Sequence, residues 1–136
     1  MLAHAIAEAP NECCGLLAGT LEGEQPGART GRVLRRYPLI NVAASPVEFD
    51  SEPRSMFEAV RDMRRLGLEM LAIYHSHPAS DPVPSRTDLE RNHYGPEVMN
   101  LIISLKGADS SMRGWWLDAG GYREGEWRCI EGIVGV

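Results

Sequence analysis

No apolar run in the chain approaches the roughly 20 residues that a membrane-spanning helix needs. The opening residues, MLAHAIAEAPNE, lack a basic stretch followed by a long apolar core, so no secretory signal is expected there. Cysteine is scarce. Cys13, Cys14 and Cys129 cannot all pair with one another, and a bridge between neighbours such as Cys13 and Cys14 is strained. A reduced, cytoplasmic protein with thiols packed in its interior fits this usage. Basic clusters are also short, only Arg35–Arg36 and Arg64–Arg65, and 14 basic residues stand against 19 acidic ones for a net charge of −5. Nucleic-acid binders carry a basic face, so neither nucleic acid nor a membrane is an expected partner. Repeats, low-complexity segments and linkers are absent from the sequence as well.

What is present reads as one α/β domain over residues 1–136, with 43% hydrophobic and 24% charged residues. Leu2 to Glu8 has helical composition, and Pro10 stops it. Cys13–Gly19, CCGLLAG, is an apolar run closed by glycine and predicts a buried strand. Glu22–Gly31 is a polar loop. Arg32–Asn41 predicts a strand, and Ser45–Phe49 a shorter, edge-like one, kept from the sheet centre by Pro46.

Asp50 or Ser51 is expected to cap a helix over Ser51–Leu66, with Glu52 and Pro53 in its first turn. Met56, Ala59, Val60, Met63 and Leu66 recur at three- and four-residue intervals along it, and Gly67 ends it. Met70–Tyr74 reads as a strand covered on both faces. A short helix over Arg86–His93, a buried strand over Val98–Leu105, and strands at Met112–Asp118 and Glu126–Gly132 complete a mixed sheet flanked by helices. Trp115 and Trp116, being adjacent, must point to opposite faces, and the tryptophans including Trp127 are expected in the core or on one sheet face.

Chemistry concentrates in IYHSHPASDPVPSRTD, Ile73 to Asp88. His75 and His77 stand two positions apart at a strand end, so both imidazoles point to one side. Neutral imidazoles suit zinc, and a catalytic tetrahedral site needs three protein ligands and one open position. Asp88 is a natural third ligand if the proline-stiffened loop Pro78–Pro84 returns the chain. Ser85-Arg86-Thr87-Asp88 is equally a helix capping box, which gives Ser85 and Asp88 a purely structural use. Other His-x-His metal patterns fit less well. A binuclear hydrolase pattern fails at Ala79 and Ser80. A cupin would need a glutamate where Asp81 stands, and an all-β fold conflicts with the Ser51–Leu66 helix.

His75-Ser76-His77-Pro78, the seven residues from Pro78 to Pro84, Ser85, two residues and then Asp88 together resemble the signature of the JAMM (MPN+) metalloprotease family. PNECCGLLAG, Pro10–Gly19, is similar to that family's glutamate-bearing segment, with Glu12 in the catalytic slot. The resemblance runs from about Ala9 to the final strands. It implies an MPN/cytidine-deaminase-like fold with a curved sheet. It implies one zinc ion held by His75, His77 and Asp88, with Glu12 as general base and Ser85 helping to hold the water and the oxyanion. Every motif position matches the active pattern rather than the metal-free scaffold type.

The implied activity is hydrolysis of the peptide or isopeptide bond next to the C-terminal Gly-Gly of a ubiquitin-like or sulfur-carrier protein. No further Cys/His cluster follows Asp88, so the chain looks like a stand-alone prokaryotic member. By the same resemblance, the substrate tail is expected near Ser45–Asp50, added to a sheet edge. Asp88 is expected to face the zinc and leave most of the capping to others. His4 and His93 read as surface or helix-end residues, and Cys13 and Cys14 as packing. A non-catalytic metal-binding interaction module and a cupin-like protein are the alternatives, and a homodimer is compatible with the sequence.

Overall fold

The computed structural model describes residues 1–23 and 30–130. Its apolar runs form the middle of a six-stranded sheet: β1 (Cys14–Glu22), β3 (Glu69–His77) and β4 (Met99–Ser104). The outer strands β2 (Thr30–Leu39), β5 (Ser111–Asp118) and β6 (Gly121–Gly125) complete the order β2-β1-β3-β4-β5-β6. Only β3 and β4 run parallel; the other neighbours are antiparallel. The helices are α1 (Leu2–Glu8), α2 (Pro53–Leu66) and α3 (Arg86–Glu90), the last within the crossover between β3 and β4.

Strand alternation sends Leu16, Ala18 and Ile73 to one face, where Ala59 and Met63 of α2 cover them. Leu17, Ala72, Tyr74, Leu101 and Ile103 take the other face, against Ala5 of α1. Both faces of the central strands are therefore covered, which is why β3 and β4 read as continuous apolar runs. A smaller cluster of Ile102, Trp115 and Leu117 packs against Val83 in the loop after β3 and Leu89 of α3. The α2 helix and the parallel β3–β4 pair are incompatible with the all-β cupin alternative.

Several expectations need correction. Ser45–Phe49 is not a strand, so there is none there for a substrate tail to extend. Its neighbourhood is organised by the Asn41 side chain, which bonds to the backbone of Ala43, Glu48 and Asp50, and Ala44 adopts a positive φ of 45°. The α2 cap is Glu52, one residue beyond Ser51, with its side chain accepting from Ser55 N–H at 3.2 Å and Pro53 just inside the helix. Ser51 is occupied in an isolated bridge with Asn41. Gly67 closes α2 in the left-handed region at φ 68°, as glycine does readily.

Among the described residues the last strand is Gly121–Gly125, and 126–130 of the expected Glu126–Gly132 strand are not in the sheet. The chain reverses tightly after Asp118, which pairs with Gly121, so pairing starts at once. Trp127 sits instead over the sheet, where a side chain at Gly114 would meet it, and is 41% exposed. Residues 131 and 132 lie outside the described residues, as does most of the expected Glu22–Gly31 loop. Helix α3 stops at Glu90 rather than His93, with Gly95 following at φ 86°. His4 lies near the start of α1, at the helix end as expected, but is half-buried with Nδ1 2.8 Å from the Tyr74 hydroxyl. Cys13 and Cys14 are free and buried, as packing requires.

Candidate metal centre

β3 carries His75 and His77 on one face at its C-terminal end, both buried. β1 lies antiparallel to it with Cys14 opposite His75, and Ser76 N–H bonds to Cys13 O. Continuing that register sets Glu12 beside His77. The loop after β3 then turns back, and α3 starts with Asp88 in its first turn. Glu12, His75, His77 and Asp88 are buried and offer ligand atoms within 4.8 Å of one another. Ser85, the fifth residue expected at the site, caps α3 beside them.

Asp88 caps the helix and faces both histidines at once. Its Oδ2 accepts from Ser85 N–H at 2.9 Å while Ser85 Oγ accepts from Asp88 N–H at 3.1 Å, a complete capping box. The same Oδ2 lies 3.1 Å from Nε2 of both His75 and His77. The expectation that Asp88 would leave capping to others is thus corrected: the box turns the carboxylate toward the histidines.

The two Nε2 atoms are also 3.1 Å apart, so three donor atoms form a nearly equilateral triangle. Protons alone satisfy it poorly. His77 Nδ1 donates to the Asp81 carbonyl at 2.8 Å, because a carbonyl can only accept. In neutral His77, Nε2 is then a bare lone pair. His75 can offer one proton from Nε2, which serves one neighbour and not both, and its Nδ1 is buried without a partner. Zinc with bonds of 2.0–2.1 Å in a tetrahedron separates its ligand atoms by about 3.3–3.4 Å. The donor set and its spacing fit such an ion.

Electrostatics favour a negative carboxylate at the centre of the cluster. Burial works to keep Asp88 neutral, but the neighbouring imidazoles of His75 and His77 and the Ser85 N–H hold it well below the usual carboxylate range. Burial works against a charged His77, yet the Asp88 carboxylate and the Asp81 carbonyl raise its pKa on balance. Glu12 is pushed up to about 8, chiefly by burial; His77 opposes this, and Asp88 and Glu48 add to it. Its Oε1 is buried with no partner among the described residues.

One contributor is not legible in the sequence. Phe49 stacks on the His75 ring, centroids 4.6 Å apart and planes 28° off parallel. An aromatic in a segment with strand-like alternation gives no sign of that use. His93 is exposed and takes no part.

Residues 1–118 match the family described as prokaryotic homologs of the JAB domain. The chain is 39% identical over 104 residues to the desampylase of Haloferax volcanii, covering 76% of this chain and 69% of that one. It is 33% identical over 106 residues to the CysO-cysteine peptidase of Mycobacterium tuberculosis, covering 78% and 67%. The chain thus spans about two thirds of the length of each. The solution structure of a Desulfitobacterium hafniense protein matches with a TM-score of 0.78 and 39% identity, over 93% of this chain and 83% of that one. A fold, a buried His-His-Asp-Glu cluster and these matches agree that the chain belongs to the JAMM (MPN+) family, among the prokaryotic homologs of the JAB domain.

Proposed function

We propose that the chain is a zinc-dependent peptidase or isopeptidase that hydrolyses the bond next to the C-terminal Gly-Gly of a ubiquitin-like or sulfur-carrier protein. The observation that carries this reading is the convergence of Glu12, His75, His77 and Asp88 within 4.8 Å. Two relatives are named desampylase and CysO-cysteine peptidase, which supports a protein-conjugate substrate. Free Cys13, Cys14 and Cys129 fit a reducing, cytoplasmic setting.

His75 and His77 through Nε2, and Asp88 through Oδ2, would hold the ion. When bound, zinc supplies Lewis acidity, making hydroxide available near neutral pH and polarising the scissile carbonyl. Glu12 takes the proton of the attacking water at its unpartnered Oε1 and passes it to the leaving amine. A carboxyl at about 8 is mostly protonated at neutral pH, but a divalent charge alongside favours its ionised form. Ser85 Oγ accepts from Asp88 N–H, which leaves its own O–H to donate to the developing oxyanion.

The test is to load the protein with zinc, incubate it with Gly-Gly-tailed carriers extended at the C-terminus, and read product masses. Carriers ending in Gly-Gly are expected from the wild-type chain and none from Glu12→Gln, at equal zinc content. A zinc content near zero, or full activity in Glu12→Gln, would overturn the reading. A zinc-loaded chain that cleaves nothing would leave the non-catalytic metal-binding module.

A further inference from the structure

We infer that Asn41 is a positioning residue for Glu12, fixing the backbone from which the carboxylate reaches the metal centre. The inference deepens the reading of Glu12 as the base and rests on it. Glu12 lies just upstream of β1, outside the regular pairing that begins at Cys14. Both of its backbone polar groups end instead on the loop after β2. Its N–H donates to Ser45 O at 2.8 Å, and its carbonyl accepts from Asn41 Nδ2 at 3.0 Å.

The Asn41 carboxamide is fully used. Nδ2 donates to Glu12 O at 3.0 Å and to Glu48 O at 3.1 Å, while Oδ1 accepts from Ala43 N–H at 3.1 Å and Asp50 N–H at 2.9 Å. A carboxamide has capacity for four such bonds. Its orientation is unambiguous, because exchanging oxygen and nitrogen would set two carbonyls against an oxygen and two N–H groups against an NH2. One side chain thus folds the loop with its oxygen and ties that loop to Glu12 with its nitrogen. The same loop carries Phe49, stacked on His75, so it touches the site at two points. Since Glu12 Oε1 finds no partner among the described residues, the aim of the carboxylate depends on its backbone.

The two halves of the amide can be separated. Asn41→Ser keeps a hydroxyl that accepts from the turn, as serine does in such turns, but cannot reach Glu12. Asn41→Asp keeps both acceptor bonds and loses both donor bonds, and it serves where the serine variant does not fold. With zinc-loaded protein and a Gly-Gly-tailed ubiquitin-like carrier bearing a short C-terminal extension, kcat is expected to fall about 10- to 100-fold, with KM within about twofold. Zinc stoichiometry should match the wild type.

Independently of activity, hydrogen exchange at the Glu12 amide should quicken about tenfold or more while β3 and β4 stay protected. The inference is overturned by kcat within about twofold of wild type, by a loss of kcat that tracks a loss of zinc, or by unchanged exchange at Glu12. If the wild-type chain cleaves no such carrier, the proposed function fails on its own, and the exchange measurement alone decides whether Asn41 holds Glu12.

Discussion

Two segments border Glu12, and they are stiffened by different means. From Ile73 to Asp88 the chain is held by strand ladders on both sides of β3, then by proline rings, then by the capping box of α3. From Ile40 to Glu52 there is one isolated bridge, between Asn41 and Ser51, and a single carboxamide takes up the inner backbone groups. The first segment presents donor atoms that crowd one another at 3.1 Å; the second presents hydrogen bonds already complete. A metal bound there would therefore stabilise much of the first and little of the second. On the proposed reading, ligand geometry and base geometry are set by separate parts of the chain.

The largest separation between them should come from Asp88→Ala. It removes one donor and half of the capping box, so zinc retention should collapse and hydrolysis fall by at least about a thousandfold. The metal-free variant should also lose about 1 kcal/mol of stability from the cap, read by thermal unfolding. A variant that holds zinc stoichiometrically would show that Asp88 only caps.

Zinc removal comes next. Adding zinc at about 100 times its dissociation constant should stabilise the chain by about 2.7 kcal/mol. Chelation should then quicken hydrogen exchange through residues 73–88 far more than through 40–52. Equal loosening of both segments would break the distinction drawn between them.

A pH series probes Glu12 itself. Its folded-state pKa is raised to about 8 from an ordinary 4.5, so between those values the native state binds a proton that the unfolded chain has released. Stability of the metal-free protein from this group must then fall as pH rises from 4.5 to about 8, by at most about 1.4 kcal/mol per pH unit. Glu12→Gln lacks the dependence. Metal-free wild type and variant should differ least near pH 4.5, with the variant gaining the advantage toward pH 8. Parallel curves would mean that Glu12 is not desolvated.

The smallest effect is expected at the one contact joining the two segments. Phe49→Ala should cost about 1 kcal/mol from the lost ring stacking on His75, about a fivefold weakening of zinc affinity in a competition titration. Unchanged affinity would make the two segments energetically independent.

Much of the site was legible because its geometry is local. The period of a strand aims His75 and His77, and a four-residue helix start aims Asp88. The central strands were equally plain, since burial on both faces leaves an unbroken apolar run. Ser45–Phe49 was misread for the opposite reason: its backbone partners belong to the Asn41 side chain, and side chain-to-backbone bonds leave no period in a sequence. Glu52 took the cap from Ser51 through the tertiary bridge to Asn41, which local propensity does not report. The final strand went wrong because Trp127 carries an apolar signal that is used to lie over Gly114 rather than to enter the sheet. His4 was discounted because its partner, Tyr74, is 70 residues away.

The shared oxygen of Asp88 has a consequence for side-chain length. Oδ2 meets two imidazoles and the Ser85 N–H together, with all three separations between 2.9 and 3.1 Å. Glutamate has the same charge and the same donor chemistry, but its carboxylate stands one further carbon–carbon bond, about 1.5 Å, from the backbone. It could keep its reach to the histidines or its place in the helix start, but not both. At position 88 the exchange usually called conservative is a change of reach, and Asp88→Glu is expected to bind zinc more weakly than the wild type in a competition titration.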